Sequence, residues 1–225
     1  NNLNTGKTTT GGAGSQTAGL GFGGETNGSN TKTTEEYNGT SWSEQNDMST
    51  ARQALAGTGT QTAAIAIGGY TNTSVANTEE YGGTSWTAGG ALPVAKSVLS
   101  AAGTLTAGLA IGGNSYLATT EHYDGSSWTA GGNLNTGRIN MGAAGLQTAA
   151  VTFGGFTGGN TGATELYDGT SWSNSASLAT ARRQIGGNGV LASALAHGGY
   201  SAAGDSALTE EFTNTVVSST KLDVS

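Results

Sequence analysis

A nine-residue stretch recurs five times along the chain and dictates how it can fold. Its clearest copy is Thr120-Glu121-His122-Tyr123-Asp124-Gly125-Ser126-Ser127-Trp128, repeated from Thr34 to Trp42, Thr78 to Trp86 and Thr164 to Trp172. A degraded copy runs from Thr209 to Val217, with Phe212 for the tyrosine and Val217 for the tryptophan. The shared glutamates Glu35, Glu79, Glu121, Glu165 and Glu210 step by 44, 42, 44 and 45 residues. A near-fixed period of this size marks a repeat architecture, in which each unit buries its apolar face against its neighbours.

Each copy predicts a strand, a turn and a second strand. The turn pairs Asn38-Gly39, Gly82-Gly83, Asp124-Gly125 and Asp168-Gly169 suit two-residue type I′ hairpins, whose central residues both need positive φ. The flanking Tyr and Trp are β-formers. An aromatic side chain can bury roughly 150–250 Å². Equal spacing makes packing the expected role of Trp42, Trp86, Trp128 and Trp172, with carbohydrate stacking the alternative.

The rest of the unit repeats as well. Basic residues stand at Lys7, Arg52, Lys96, Arg138 and Arg182. A strand of small residues follows each, then an apolar strand ending in a double glycine, such as Ala63-Ala64-Ile65-Ala66-Ile67-Gly68-Gly69. Short apolar runs bounded by glycine fit buried strands. Glycine weakens a strand unless close backbone approach demands it, and crowding around the axis of a radial array supplies that demand. The expected fold is all-β: a five-bladed β-propeller of four-stranded blades. One domain fills 1–225, with units at approximately 1–43, 44–87, 88–130, 131–176 and 177–225. Residues 218–225 are expected to continue along the edge of the last unit.

Composition narrows the function classes. The net charge of −7 opposes a phosphate-binding surface, so no nucleic-acid partner is expected. The longest apolar runs are too short to span a bilayer, so membrane insertion is not expected. Cysteine is absent, which removes disulfides and thiolate metal sites. The chain begins at Asn1 without a methionine, as expected of a processed product or a piece of something longer.

The order Gly-Gly, Tyr, Trp, then Leu or Met followed by Arg, resembles the Kelch repeat and the Kelch-like propeller of the galactose-oxidase central domain. The four residues between Tyr and Trp and the short period depart from most Kelch repeats. The wording Tyr-Asp-Gly-Thr-Ser-Trp is similar to repeats of phage and marine bacterial structural or surface proteins. That resemblance implies an extracellular place, on a virion or cell surface. The copper and Tyr–Cys chemistry of galactose oxidase cannot carry over to a chain without cysteine, and no cofactor is expected.

Candidate site residues fall on the loops after the double glycines. These have nine, eight, six, eight and nine residues in units 1 to 5. Loops on a rigid scaffold commonly carry binding. The candidates are Tyr70, Asn72, Asn114, Tyr116, Phe156, Asn160, Tyr200 and Asp205, a mix of aromatics and amides suited to neutral sugars or a protein surface. The five glutamates and five basic residues are expected to form ion pairs at the junctions between units. Identical environments do not push two pKa values apart as acid/base catalysis requires. His122 is expected to be a strand-face variant. His197 is expected to be buried and hydrogen-bonded, and no metal site is expected of two isolated histidines. The expectation is therefore a non-enzymatic binding or structural module, a phage tail, decoration or adhesion domain meeting glycan, envelope protein or neighbouring subunits. A purely architectural spacer and a glycan-active enzyme are the alternatives.

Overall fold

A computed structural model describes residues 2–214. Val217 and the segment 218–225 lie outside the described residues. The chain is all-β, built of antiparallel sheets that follow the repeat. Units 1 to 4 each form a four-stranded sheet in sequence order. In unit 2 the strands are Ala56–Thr60, Ala63–Ile67, Thr78–Tyr81 and Trp86–Ala88. Unit 5 gives a three-stranded sheet among the described residues, Gly186–Val190, Ser193–His197 and Thr209–Thr213, and a second, small sheet of Arg182–Arg183, Tyr200–Ser201 and Gly204–Asp205.

Crowding along the first strands explains their composition. Gly11–Ser15, Ala56–Thr60, Ser100–Thr104, Gly142–Leu146 and Gly186–Val190 line one common cavity of about 210 Å³. Consecutive first strands pack side by side from unit 1 through unit 5. A Cβ at Gly57 would fall 2.7 Å from the Gly12 carbonyl oxygen, and one at Gly187 would fall 2.4 Å from that of Ala143. No larger residue fits without displacing backbone.

The apolar core lies between sheets rather than inside them. Ile65 and Ile67 of unit 2 pack with Leu92, Leu99, Tyr123 and Trp128 of unit 3. Leu109 and Ile111 meet the corresponding residues of unit 4, and Leu20 and Phe22 those of unit 2. Each layer is also pinned by polar bonds. The indoles of Trp86, Trp128 and Trp172 donate to Thr34, Thr78 and Thr120 of the preceding unit at 2.9, 2.9 and 3.0 Å. A buried indole N–H with a partner keeps the area gain of the ring without an unsatisfied donor.

The tyrosines follow the same rule. Tyr81 donates to Glu36 at 2.9 Å, Tyr123 donates to Glu80, and Tyr167 bonds His122 at 2.7 Å. His122 thus occupies the partner position on the strand face. Burial, then the glutamate bond, pushes the Tyr123 phenol up to about 12. In unit 5 the aromatic is Phe212, and the facing position in unit 4 is Leu166; both pack on one cluster. Loss of the hydroxyl and loss of its acceptor go together.

The hairpin turns differ from the two-residue expectation. Tyr37 pairs with Trp42 and Tyr123 with Trp128, leaving four residues in the turn. Asp124 Oδ1 accepts the backbone N–H groups of Ser126 and Ser127 at 2.8 Å each, and Asn38 and Asp168 act likewise. A side-chain carboxylate or amide that caps two amides stabilises this longer turn. Only the second residue of each pair takes positive φ, as at Gly125 with φ 94°.

Two expectations follow. Glu36→Leu leaves the buried Tyr81 hydroxyl without an acceptor and should cost about 1–3 kcal/mol in urea unfolding. Adding Tyr81→Phe, which copies the Leu166/Phe212 arrangement, should recover most of it. The Asp124 carboxyl is held at about 2, chiefly by the backbone N–H of Ser127, then by Ser126. A depressed folded-state pKa gives stability that is present above the ordinary carboxylate range and lost as pH falls toward 2. Asp124→Asn keeps the acceptor without the titration, so its urea midpoint should fall less steeply than wild type between pH 4 and 2.

Candidate functional site

Each unit buries a cation. Lys7 pairs with Glu35 at 2.9 Å, Arg52 with Glu79 at 2.5 Å, Lys96 with Glu121 at 2.5 Å, Arg138 with Glu165 at 2.7 Å and Arg182 with Glu210 at 2.7 Å. Each pair lies within one unit, tying the linker before the first strand to the third strand. The junction between units is made by the main chain of the same residue. Gly24, Gly69, Gly113 and Gly155 donate N–H to the carbonyls of Arg52, Lys96, Arg138 and Arg182. The double glycine is required here: a Cβ at Gly68 would lie 2.5 Å from the Lys96 oxygen.

The glutamates carry a second load. Their other oxygen accepts the backbone N–H of Asn4, Ser49, Asn135 and Ala179, each at 2.7 Å. Pro93 stands at the matching position in unit 3 and has no N–H to give. Lys96 bonds Glu121 and both oxygens of Thr119, and the carbonyl at that position also accepts from Lys7, Arg138 and Arg182 in their units. Burial lowers the pKa of Arg52, Lys96 and Arg138, and the paired glutamates draw it back up. The Nε–H groups of Arg52, Arg138 and Arg182 make no protein hydrogen bond, so desolvation is only partly offset.

The loop residues divide into two groups. Tyr70, Phe156 and Tyr200 stand directly after the double glycines and pair through the backbone with Gln53, Ile139 and Arg183. The shorter loop of unit 3 forms a 3-10 turn over Asn114–Tyr116 and carries its aromatic two residues later. Tyr116 and Phe156 lie with centroids 6.1 Å apart. The Arg183 guanidinium sits 4.9 Å from the Phe156 centroid and 4.9 Å from that of Tyr200. Tyr116, Phe156, Arg183 and Tyr200 therefore form one continuous strip across units 3 to 5. Arg183 forms no ion pair with a described residue. A guanidinium between two rings is held rigid with its edge donors free.

Other candidates stand apart. Tyr70 is exposed in unit 2 and makes no ring contact with the strip, and Asn72 is at the tip of its loop. Asn160 donates to the Tyr200 carbonyl at 3.1 Å and Asn114 accepts the Ser97 N–H at 2.9 Å, so both position loops. Asp205 is exposed on the strand paired with Tyr200. Arg183 was absent from the sequence-derived set. The signal was present: the positions matching it are Thr8, Gln53, Ser97 and Ile139, and unit 5 alone has a cation there. His197 is exposed and bonds Asn188 at 2.6 Å, contrary to the expected burial. Among the described residues nothing packs over unit 5 as each unit packs over the one before it. No cluster of three or more His, Cys, Asp or Glu able to hold a metal is present among the described residues.

No family model and no curated protein matches the chain. A solved structure titled "Structure of YjhT" is similar to it over 94% of this chain and 82% of that one, with a TM-score of 0.78 and 13% identity. At that identity the likeness concerns the fold. It is one of 196 similar solved chains, and a fold shared this widely assigns no activity.

The ion pairs give a direct test. Glu165→Gln leaves a fully buried Arg138 without its counter-charge and should cost about 3–5 kcal/mol in urea unfolding. Glu210→Gln should cost clearly less, because the Glu210 side chain is 24% exposed and that of Glu165 only 1%.

Proposed function

We propose that the five units form a five-bladed β-propeller of four-stranded Kelch-like blades, and that it serves as a non-enzymatic binding module. The loop face is the recognition surface, and the ligand is a saccharide on a cell or virion surface. The shared axial cavity of the five first strands and the fold likeness support the ring arrangement.

The observation that carries the binding reading is the Tyr116–Phe156–Arg183–Tyr200 strip. Flat apolar rings take the C–H faces of sugars, and a rigid guanidinium between them donates to sugar oxygens. The two tyrosines are 45% and 39% exposed; Arg183 stacks on Tyr200 and on Phe156, and the Phe156 ring neighbours Tyr116. The ionisable groups at the strip are Arg183 and the neighbouring Asp205. One carboxylate does not make the paired acid and base of a glycosidase. The architectural alternative draws on Asn114 and Asn160, whose amides are used in holding loops.

Binding of the purified chain to a glycan array and to whole bacterial cells tests this reading. Tyr116→Ala with Tyr200→Ala should lower binding at least tenfold, and Arg183→Ala should lower it comparably, with unchanged circular dichroism. Absence of binding to either target would leave the architectural role.

A further inference from the structure

One socket recurs where consecutive units meet, and three times an indole of the chain fills it. Trp86, Trp128 and Trp172 reach onto the unit before, where Thr34, Thr78 and Thr120 accept their N–H groups. One wall is the last apolar residue of the preceding second strand; Phe22 meets Trp86 with centroids 4.9 Å apart. A second wall is the apolar residue six places after the preceding tryptophan. These are Met48, Leu92 and Leu134, each buried in the same cluster as its indole. The third wall is the tyrosine of the indole's own unit, with centroids at 5.0, 4.8 and 4.7 Å for Tyr81, Tyr123 and Tyr167.

Units 4 and 5 build the same walls. Phe153, Thr164 and Leu178 of unit 4 and Phe212 of unit 5 stand at the equivalent positions and line a cavity of about 110 Å³. The nine-residue copy of unit 5 ends in Val217 where the other four end in tryptophan. A valine has neither the bicyclic ring nor the N–H that the other sockets take. Thr164 is 3% exposed, and its hydroxyl accepts no hydrogen bond among the described residues. It donates to the Gly162 carbonyl at 3.5 Å. Leu178 and Phe212 are half-buried, whereas their counterparts are buried. Ala176 and Ser177 at the rim are exposed, so the cavity opens to solvent.

Apolar walls around one buried, unpartnered acceptor suit a flat apolar ligand that carries an N–H. Such a ligand restores dispersion contacts to the walls and gives Thr164 its donor. Charge narrows the class further. Glu210 and Glu211 line the same cavity. Arg182 neutralises Glu210, while Glu211 forms no ion pair with a described residue. An acidic substituent on the ligand would meet that carboxylate, and like charges in contact repel. We infer that this socket binds a free, uncharged aromatic heterocycle of the indole class. Its ring lies against Phe153, Leu178 and Phe212, and its N–H donates to Thr164. No residue of the socket belongs to the Tyr116–Phe156–Arg183–Tyr200 strip, so the site is additional to the saccharide reading.

Fluorine NMR of 5-fluoroindole with the full chain tests the site free of the chain's own tryptophan signals. Binding should saturate at a single molecule per chain. Val217→Trp, which copies the residue of the other units, should weaken binding about tenfold or more and raise the urea midpoint. 1-Methylindole, which lacks the N–H, should compete about tenfold less well than indole, and Thr164→Val should abolish that preference. Indole-3-acetate should also compete less well than indole. A chain that binds no 5-fluoroindole, or a Val217→Trp variant that binds it as tightly as wild type, overturns the site. Equal competition by indole and 1-methylindole overturns it too. Binding that is lost in Tyr116→Ala with Tyr200→Ala, but kept in Val217→Trp, places the ligand on the strip and overturns it. Uptake of a tryptophan-bearing peptide without uptake of indole assigns the socket to a protein partner and overturns it as well.

Discussion

Every unit hangs on one buried cation. Its side chain is neutralised by the glutamate of its own third strand, and in units 2 to 5 its main-chain carbonyl receives the double glycine of the unit before. One residue therefore fixes both the fold of a unit and its docking on the next. A buried pair is weak as a source of net stability, because desolvation offsets most of the attraction. Its strength lies in geometry: the charge tolerates one position and leaves little freedom to the linker that carries it.

Stability is consequently spread along a line of interfaces. Each apolar layer contains residues of two units, so no sheet holds a complete core of its own. Such arrays behave as unit energies plus nearest-neighbour interface energies. The layers carry compensating changes: where Phe212 lacks the hydroxyl, Leu166 lacks the acceptor. Among the described residues no such layer covers the faces that carry His197 and Thr10 in place of buried apolar residues.

Much of this was legible from periodicity. The strand pattern, the small residues of the first strands and the double glycines follow from spacing and from the volume each position tolerates. The turn was misread because Asn38 and Asp124 serve two roles in sequence: they allow positive φ, and they cap neighbouring amides. The structure uses the second. His197 was misread for a different reason. Its repeat position is buried elsewhere, and only the arrangement of units shows that no further unit of the described residues packs over it. Asn114 and Asn160 looked like ligand-facing amides, yet their bonds go to backbone in neighbouring segments.

The sequence by itself determined the all-β repeat and the residues that recur, because a fixed period forces equivalent positions into equivalent surroundings. It could not determine which side chains from different units meet. Arg183 and Tyr200 are 17 positions apart in number, and Tyr116 lies two units away, so nothing local links them. Only the tertiary arrangement brings the three rings and the guanidinium into one strip. Contacts of this kind depend on the angle at which one sheet packs on the next, and that angle is set by summed packing rather than by any single residue.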